Sequence, residues 1–258
     1  MAAMANPPRN RGEEMSMRFA SVVGVGISWL GFVHAANAAF VTPEQWTRPT
    51  SEAEAVAGRT TYQEWNVFAS PGGPNDPDVA EWNPNAGAGP NAGKANLFDS
   101  SGASFVTGGG NIYSPSAALA LDADVPSFGL GAEYRTTVLF QVRSLGSELD
   151  YDTVRLTYAD GGGTSQTISA DSRRELARVQ LGGFGGAQVD TLFAFEVPFS
   201  PASFKIEFDG AESSVSLDAV AVDTLTSVVP EPGALALGFG GAALLMARSR
   251  RPRRRLPD

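Results

Sequence analysis

The sequence predicts a mainly β protein: an antiparallel β-sandwich, preceded by an N-terminal signal peptide and followed by one C-terminal transmembrane helix. Three observations predict the sandwich. Short segments rich in β-branched and aromatic residues recur from Thr60 to Val222 between glycine-rich turns. Asp160-Gly161-Gly162-Gly163 reads as a hairpin turn joining two of them. Helical periodicity is scarce, and no repeat of about 20–50 residues marks a propeller or solenoid.

Three regions follow from composition: 1–38, an N-terminal extension and signal peptide; 39–227, the sandwich; and 228–258, a C-terminal address. Met15 or Met17 is the better start for a signal peptide. Arg18 supplies its positive end, Phe19 to Val33 its apolar stretch, and Ala36-Asn37-Ala38 its small-x-small site, so cleavage is expected after Ala38.

Within the domain, Ser51 to Ala57 suits a short helix and Thr60 to Ala69 is the first convincing strand. Ser70 to Lys94 reads as one long loop rich in proline, glycine and asparagine, a length that is usually functional or mobile. Ser104 to Thr107 and Asn111 to Tyr113 flank a glycine turn, while Ala117 to Leu121 fits either class. Arg135–Arg143, Thr153–Ala159, Thr164–Ser169 and Thr191–Val197 read as strands, and Arg173–Gln180 competes as a helix. In the last two strands, Phe204, Ile206 and Phe208 should share one face, as should Val215, Leu217, Ala219 and Ala221. Such short strands with little helix define a sandwich of about 190 residues, enough for one core.

Composition then removes whole classes of chemistry. The single histidine, His34, lies in the signal peptide and the chain has no cysteine. The mature domain therefore excludes Ser-His-Asp and Cys-His catalysis, His/Cys zinc sites and iron–sulfur clusters. Between Ala39 and Ser227 there are 10 Lys+Arg against 24 Asp+Glu, a net charge of −14. That surface argues against nucleic acid and for a solvated extracellular protein. The glycine runs lack the Lys-Ser/Thr and the strand–helix setting of phosphate-binding loops and are expected to be turns.

Two kinds of candidate site remain. Trp46, Trp65 and Trp82 are candidates for stacking on the apolar faces of sugars, with Trp82 favoured because it sits in the loop; Trp65, in a strand, suits the core or its rim better. The acidic i, i+2 pairs Asp76/Asp78, Asp122/Asp124 and Asp150/Asp152 offer oxygen ligands of the kind calcium takes, though solvated turns use the same pattern. No cofactor is otherwise expected.

The tail is the most specific stretch. Pro230-Glu231-Pro232 precedes an uncharged apolar run from Gly233 to Ala247, then Arg248, Arg250, Arg251, Arg253, Arg254 and Arg255. As a helix the apolar run spans roughly 24 Å, short against a hydrocarbon core of about 30 Å, and the arginines would hold its end in the cytoplasm. This order resembles the PEP-CTERM sorting signal of Gram-negative bacteria. The resemblance covers about the last thirty residues. It implies recognition by an exosortase, removal of the tail, and release or attachment of the cargo at the cell surface. It also implies an association with exopolysaccharide and biofilm.

Phe204 to Gly210 and Ser216 to Val222 are, in addition, similar to the closing strands of jelly-roll carbohydrate-binding-like modules. That resemblance implies a jelly-roll-like fold and makes Asp218 a candidate ligand of a structural ion. The expectation is an exported, non-enzymatic surface or matrix protein that binds extracellular polysaccharide or surface partners. The alternative is a secreted glycan hydrolase using two carboxylates.

Overall fold

The computed structural model describes residues 40–81, 95–182 and 185–230. Over these the chain is mainly β. It has one short helix, α1 (Glu52–Gly58), and thirteen strands. These are β1 (Thr60–Trp65), β2 (Val79–Glu81), β3 (Asn96–Asp99), β4 (Phe105–Val106), β5 (Ile112–Ser114), β6 (Ala120–Pro126) and β7 (Tyr134–Gly146). Then come β8 (Leu149–Ala159), β9 (Ser165–Ser169), β10 (Ser172–Gln180), β11 (Ala187–Val197), β12 (Ser203–Gly210) and β13 (Val215–Val228). The signal-peptide residues, among them Ala36 and Ala38, lie outside the described residues, as do Trp82 and the tail beyond Pro230.

All pairing between these strands is antiparallel. The larger sheet runs β10-β11-β7-β13-β1-β2, with β5 also paired to β13 and β4 to β5. The smaller runs β3-β6-β12-β8-β9. The two share one core, as a sandwich requires: Phe140 on β7 meets Phe208 on β12 with ring centroids 4.9 Å apart. Phe204, Ile206 and Phe208 do face inward together, because alternate residues of a strand share a face.

β13 departs from simple alternation. Its register with β7 shifts between Leu217 and Ala219, leaving Asp218 as the extra residue of a bulge. One inserted residue exchanges the faces, so Val215 and Leu217 are followed into the core by Val220 and Val222. Ala219 and Ala221 turn to the opposite side and pack with Phe40 and Tyr62. The expected single face Val215-Leu217-Ala219-Ala221 is thus split in two.

That opposite side of the larger sheet is covered by the first described residues. Phe40 rests on Ala219 and Ala221, and Trp46 on Leu139, Leu192 and Ala194. Gln141 fastens the strap: its Oε1 accepts from the Val41 N–H at 2.8 Å and its Nε2 donates to the Val41 carbonyl at 2.8 Å.

Other elements refine the sequence reading. β1 ends at Trp65 because the next two N–H groups, of Asn66 and Val67, donate to Asp78 Oδ2 at 2.6 and 2.8 Å. The stretch 70–94 is not structureless, since β2 lies inside it and pairs with β1. Asn75 within it is buried and takes N–H groups from Ala69 and Ser70. Residues 173–180 are strand, not helix. They form the edge β10, and a bulge between Glu175 and Ala177 lets Leu176 pack toward Trp46. The hairpin at Asp160 is present, with Asp160 Oδ1 accepting from the Gly162 and Thr164 N–H groups at 2.9 Å each. Among the described residues no helix is long and apolar enough to cross a membrane.

Candidate ligand-binding groove

Two of the three candidate tryptophans are core residues. Trp65 is fully buried and its Nε1 donates to the Asn75 carbonyl at 2.8 Å. Trp46, in the strap, is 9 % exposed and packs onto the larger sheet. Neither offers a ring face to a sugar, because burial in each case satisfies the apolar surface internally. Trp82 lies outside the described residues.

The acidic candidates do not converge. Asp122 and Asp124 stand on one face of β6 in the smaller sheet, whereas Asp218 sits at the bulge of β13 in the larger. Asp218 accepts from Asn111 Nδ2 at 2.9 Å and lies 3.7 Å from the Arg143 guanidinium. Asp122 lies 3.5 Å from the Lys205 ammonium. Among the described residues no three acidic or histidine side chains are grouped to hold a metal ion. The pair Asp122/Asp124 and the separate candidate Asp218 thus lie on different sheets, and the fold does not bring them together. Asp78 is committed to the N–H groups at the end of β1, and Asp150, at the start of β8, accepts on Oδ1 from the Asp152 N–H at 3.1 Å.

One predicted residue does enter a cleft. Antiparallel register places Asp124, Lys205, Thr157 and Thr167 in a row across β6, β12, β8 and β9. This row leads into a groove of about 520 Å³ between the turn end of the β8–β9 hairpin and the loops around Gly129 and Ser200. Its apolar wall is the half-buried Phe199 ring, backed from the core by the buried Tyr158, the two rings stacked at 18° with centroids 6.5 Å apart. The turn passes close to Phe199: a Cβ at Gly161 would sit in ordinary van der Waals contact with the ring, at 3.4 Å. Hydroxyls of Thr157, Ser165 and Ser203 line the rest.

The electrostatics give the two carboxylates of the groove different tasks. Burial pushes the Asp124 carboxyl up from the ordinary range, Lys205 opposes this, and Asp122 and Glu207 add to it by repulsion. Asp160 is held below that range by the Gln166 amide and by the N–H groups of Thr164 and Gly162. Its oxygens are committed to the turn, with Gln166 Nε2 on Oδ2 at 2.9 Å. An aromatic wall with a hydroxyl rim and a flanking ammonium can hold a sugar ring by its apolar face and its hydroxyls.

Sequence reasoning missed Tyr158, Phe199 and Lys205. Phe199 follows Pro198 at the end of β11, and only the pairing of β8 with β12 brings Tyr158 to it. A second cleft, of about 690 Å³, lies at the opposite end beside Tyr113, Gly146 and Ser214, bounded partly by the 181–186 turn, where residues 183 and 184 lie outside the described residues. No protein-family model matches the chain, and no curated protein matches it in sequence.

Proposed function

We propose that this chain is the precursor of an exported, non-enzymatic surface or matrix protein of a Gram-negative bacterium, sorted by an exosortase and binding extracellular polysaccharide. Its domain is a β-sandwich of jelly-roll type, held to the membrane by the Gly233–Ala247 helix before processing. The reading is carried by the join between domain and tail. β13 is paired along both flanks and ends at Val228, and the Pro230-Glu231-Pro232 motif follows after the single residue Val229. Proline withdraws backbone donors and favours an extended chain, so the sheet cannot continue into the motif and a protease can engage it. Cleavage there removes no strand residue.

The other end is consistent with the same account. Cleavage after Ala38 leaves Phe40, Val41 and Arg48, which fasten the strap to the larger sheet. A cut only two residues later would remove Phe40.

Polysaccharide binding is assigned to the groove of Tyr158 and Phe199. Commitment of both Asp160 oxygens to the hairpin supports binding over two-carboxylate hydrolysis. The test is affinity electrophoresis of the secreted protein through gels containing the producing cell's exopolysaccharide. Phe199→Ala should abolish retardation while the domain stays folded by circular dichroism. Retardation equal to the parent overturns the groove assignment. Release of reducing ends that Asp124→Asn abolishes favours the hydrolase.

A further inference from the structure

We infer that the end of the domain from which the chain leaves is a membrane-docking surface, one that rests on the bilayer in the unprocessed precursor. This rests on the reading of Gly233–Ala247 as membrane-inserted. Four of the seven large apolar side chains exposed among the described residues, Val56, Leu130, Val228 and Val229, belong to this end. The topology joins them. Tyr134 opens β7 directly opposite Val228 on β13, and the Val229 N–H donates to the Glu133 carbonyl at 2.9 Å. Leu130 precedes this point in the same loop, whose Gly131 carbonyl accepts from the Tyr134 N–H at 3.3 Å. From the other flank, the residue that ends α1, Arg59, lies with its guanidinium 5.3 Å from the Tyr134 ring centroid and its carbonyl on the Thr226 N–H. Val56 is on the last turn of that helix.

The chemistry suits a lipid surface. Aliphatic side chains, a tyrosine and two arginines, Arg59 and Arg135, form the interfacial combination in which apolar groups enter the acyl boundary and guanidinium groups meet phosphate. The acidic residues near them are Glu133 in the loop, Glu52 and Glu54 at the start of α1, with Glu54 turned back onto the Thr50 N–H at 2.8 Å, and in sequence Glu231 after Pro230. Distance settles which occupant is reached first. From Val229 to Gly233 there are four Cα steps, at most roughly 14 Å of extended chain. A domain so tethered meets the headgroups with this end foremost.

The absence of native cysteine permits a direct test. The full chain is reconstituted in protein-free vesicles of mixed zwitterionic and anionic phospholipid. Nitroxide labels are placed singly through Val56→Cys, Leu130→Cys, Val179→Cys and Leu244→Cys. Relative accessibility to oxygen and to a polar nickel chelate gives depth. The labels at 56 and 130 should lie at the headgroup–acyl boundary, that at 244 within the bilayer, and that at 179, as exposed but at the far end of the sheet, in water. Labels at 56 and 130 as water-accessible as 179, with 244 buried in lipid, overturn the docking surface and leave the tail reading standing. A water-accessible label at 244 overturns both. Because no second protein is present, a result at 56 and 130 seen only when an exosortase is added assigns the surface to that protein and overturns the lipid assignment.

Discussion

Arg48 grips the fully buried Asp223 with two parallel bonds, Nε to Oδ1 at 2.7 Å and Nη2 to Oδ2 at 2.8 Å. The pair joins the N-terminal strap to β13, the strand that carries the tail. Arg48 also lies over the Tyr62 ring at 3.8 Å and donates to the Val41 carbonyl at 3.0 Å, so one side chain holds both the start of the strap and the sheet beneath it.

Removing one partner strands a buried charge. Arg48→Met should cost about 3–5 kcal/mol in urea unfolding, because Asp223 keeps its desolvation without its counter-charge. The double variant Arg48→Met/Asp223→Leu should recover most of that loss, since a buried ion pair and a packed apolar pair differ little in net stability. A double variant no better than the single one contradicts the account.

The same pair makes a pH dependence with a definite sign. Burial raises the Asp223 carboxyl to about 6, even though Arg48 and then Gln141 pull it down. Its folded pKa lies above the unfolded value of about 3.9, so the folded state holds the proton more tightly. The contribution to stability is full below about pH 4 and is lost as pH rises through about 6. Burial raises Asp124 and Asp209 as well, which acts in the same direction. Unfolding free energy should therefore fall between about pH 4 and 6.5 and level off above, and Asp223→Asn should flatten the slope whatever it does to the absolute value. An unchanged slope in that variant refutes the assignment.

Trp65 and Trp82 should respond in opposite ways. Trp65→Ala empties a fully buried site and removes the donor to Asn75, for a loss of about 3–5 kcal/mol measured by chemical denaturation. Trp82→Ala should leave the melting temperature unchanged, and lost polysaccharide retention in that variant would add residue 82 to the binding surface.

Gly186 has φ +82° and lies so close to Gly146 that a Cβ would meet the Gly146 carbonyl oxygen at 2.4 Å. Gly186→Ala combines left-handed backbone with a backbone clash, and should lower stability by about 1–3 kcal/mol. Gly182→Ala, with open space around its Cβ position, should be nearly silent. Thermal denaturation of the two variants side by side checks both.

The mainly β, antiparallel character was readable wherever a local signal decides it. Asp160 followed by three glycines specifies its hairpin through bonds within five residues, and Phe204, Ile206 and Phe208 specify their face by alternation alone. Failures occur where a distant partner decides. The bulge at Asp218 is fixed by pairing with Arg143 and Ser144 on β7, so no pattern inside β13 announces that Ala219 faces outward. Arg173–Gln180 is strand because β11 offers it an edge, against a sequence with mixed preference. In the groove, Asp124 was visible as part of an acidic pair, whereas Tyr158 and Phe199 meet only through the register of two strands.

On the proposed function, an exported sandwich is trimmed at both ends, just outside the N-terminal strap and the last strand. Intact mass of the protein recovered from membrane and medium fractions tests it most directly. The account predicts a species beginning at Ala39 and ending near Pro230. A species in both fractions that retains Gly233 to Asp258 contradicts it.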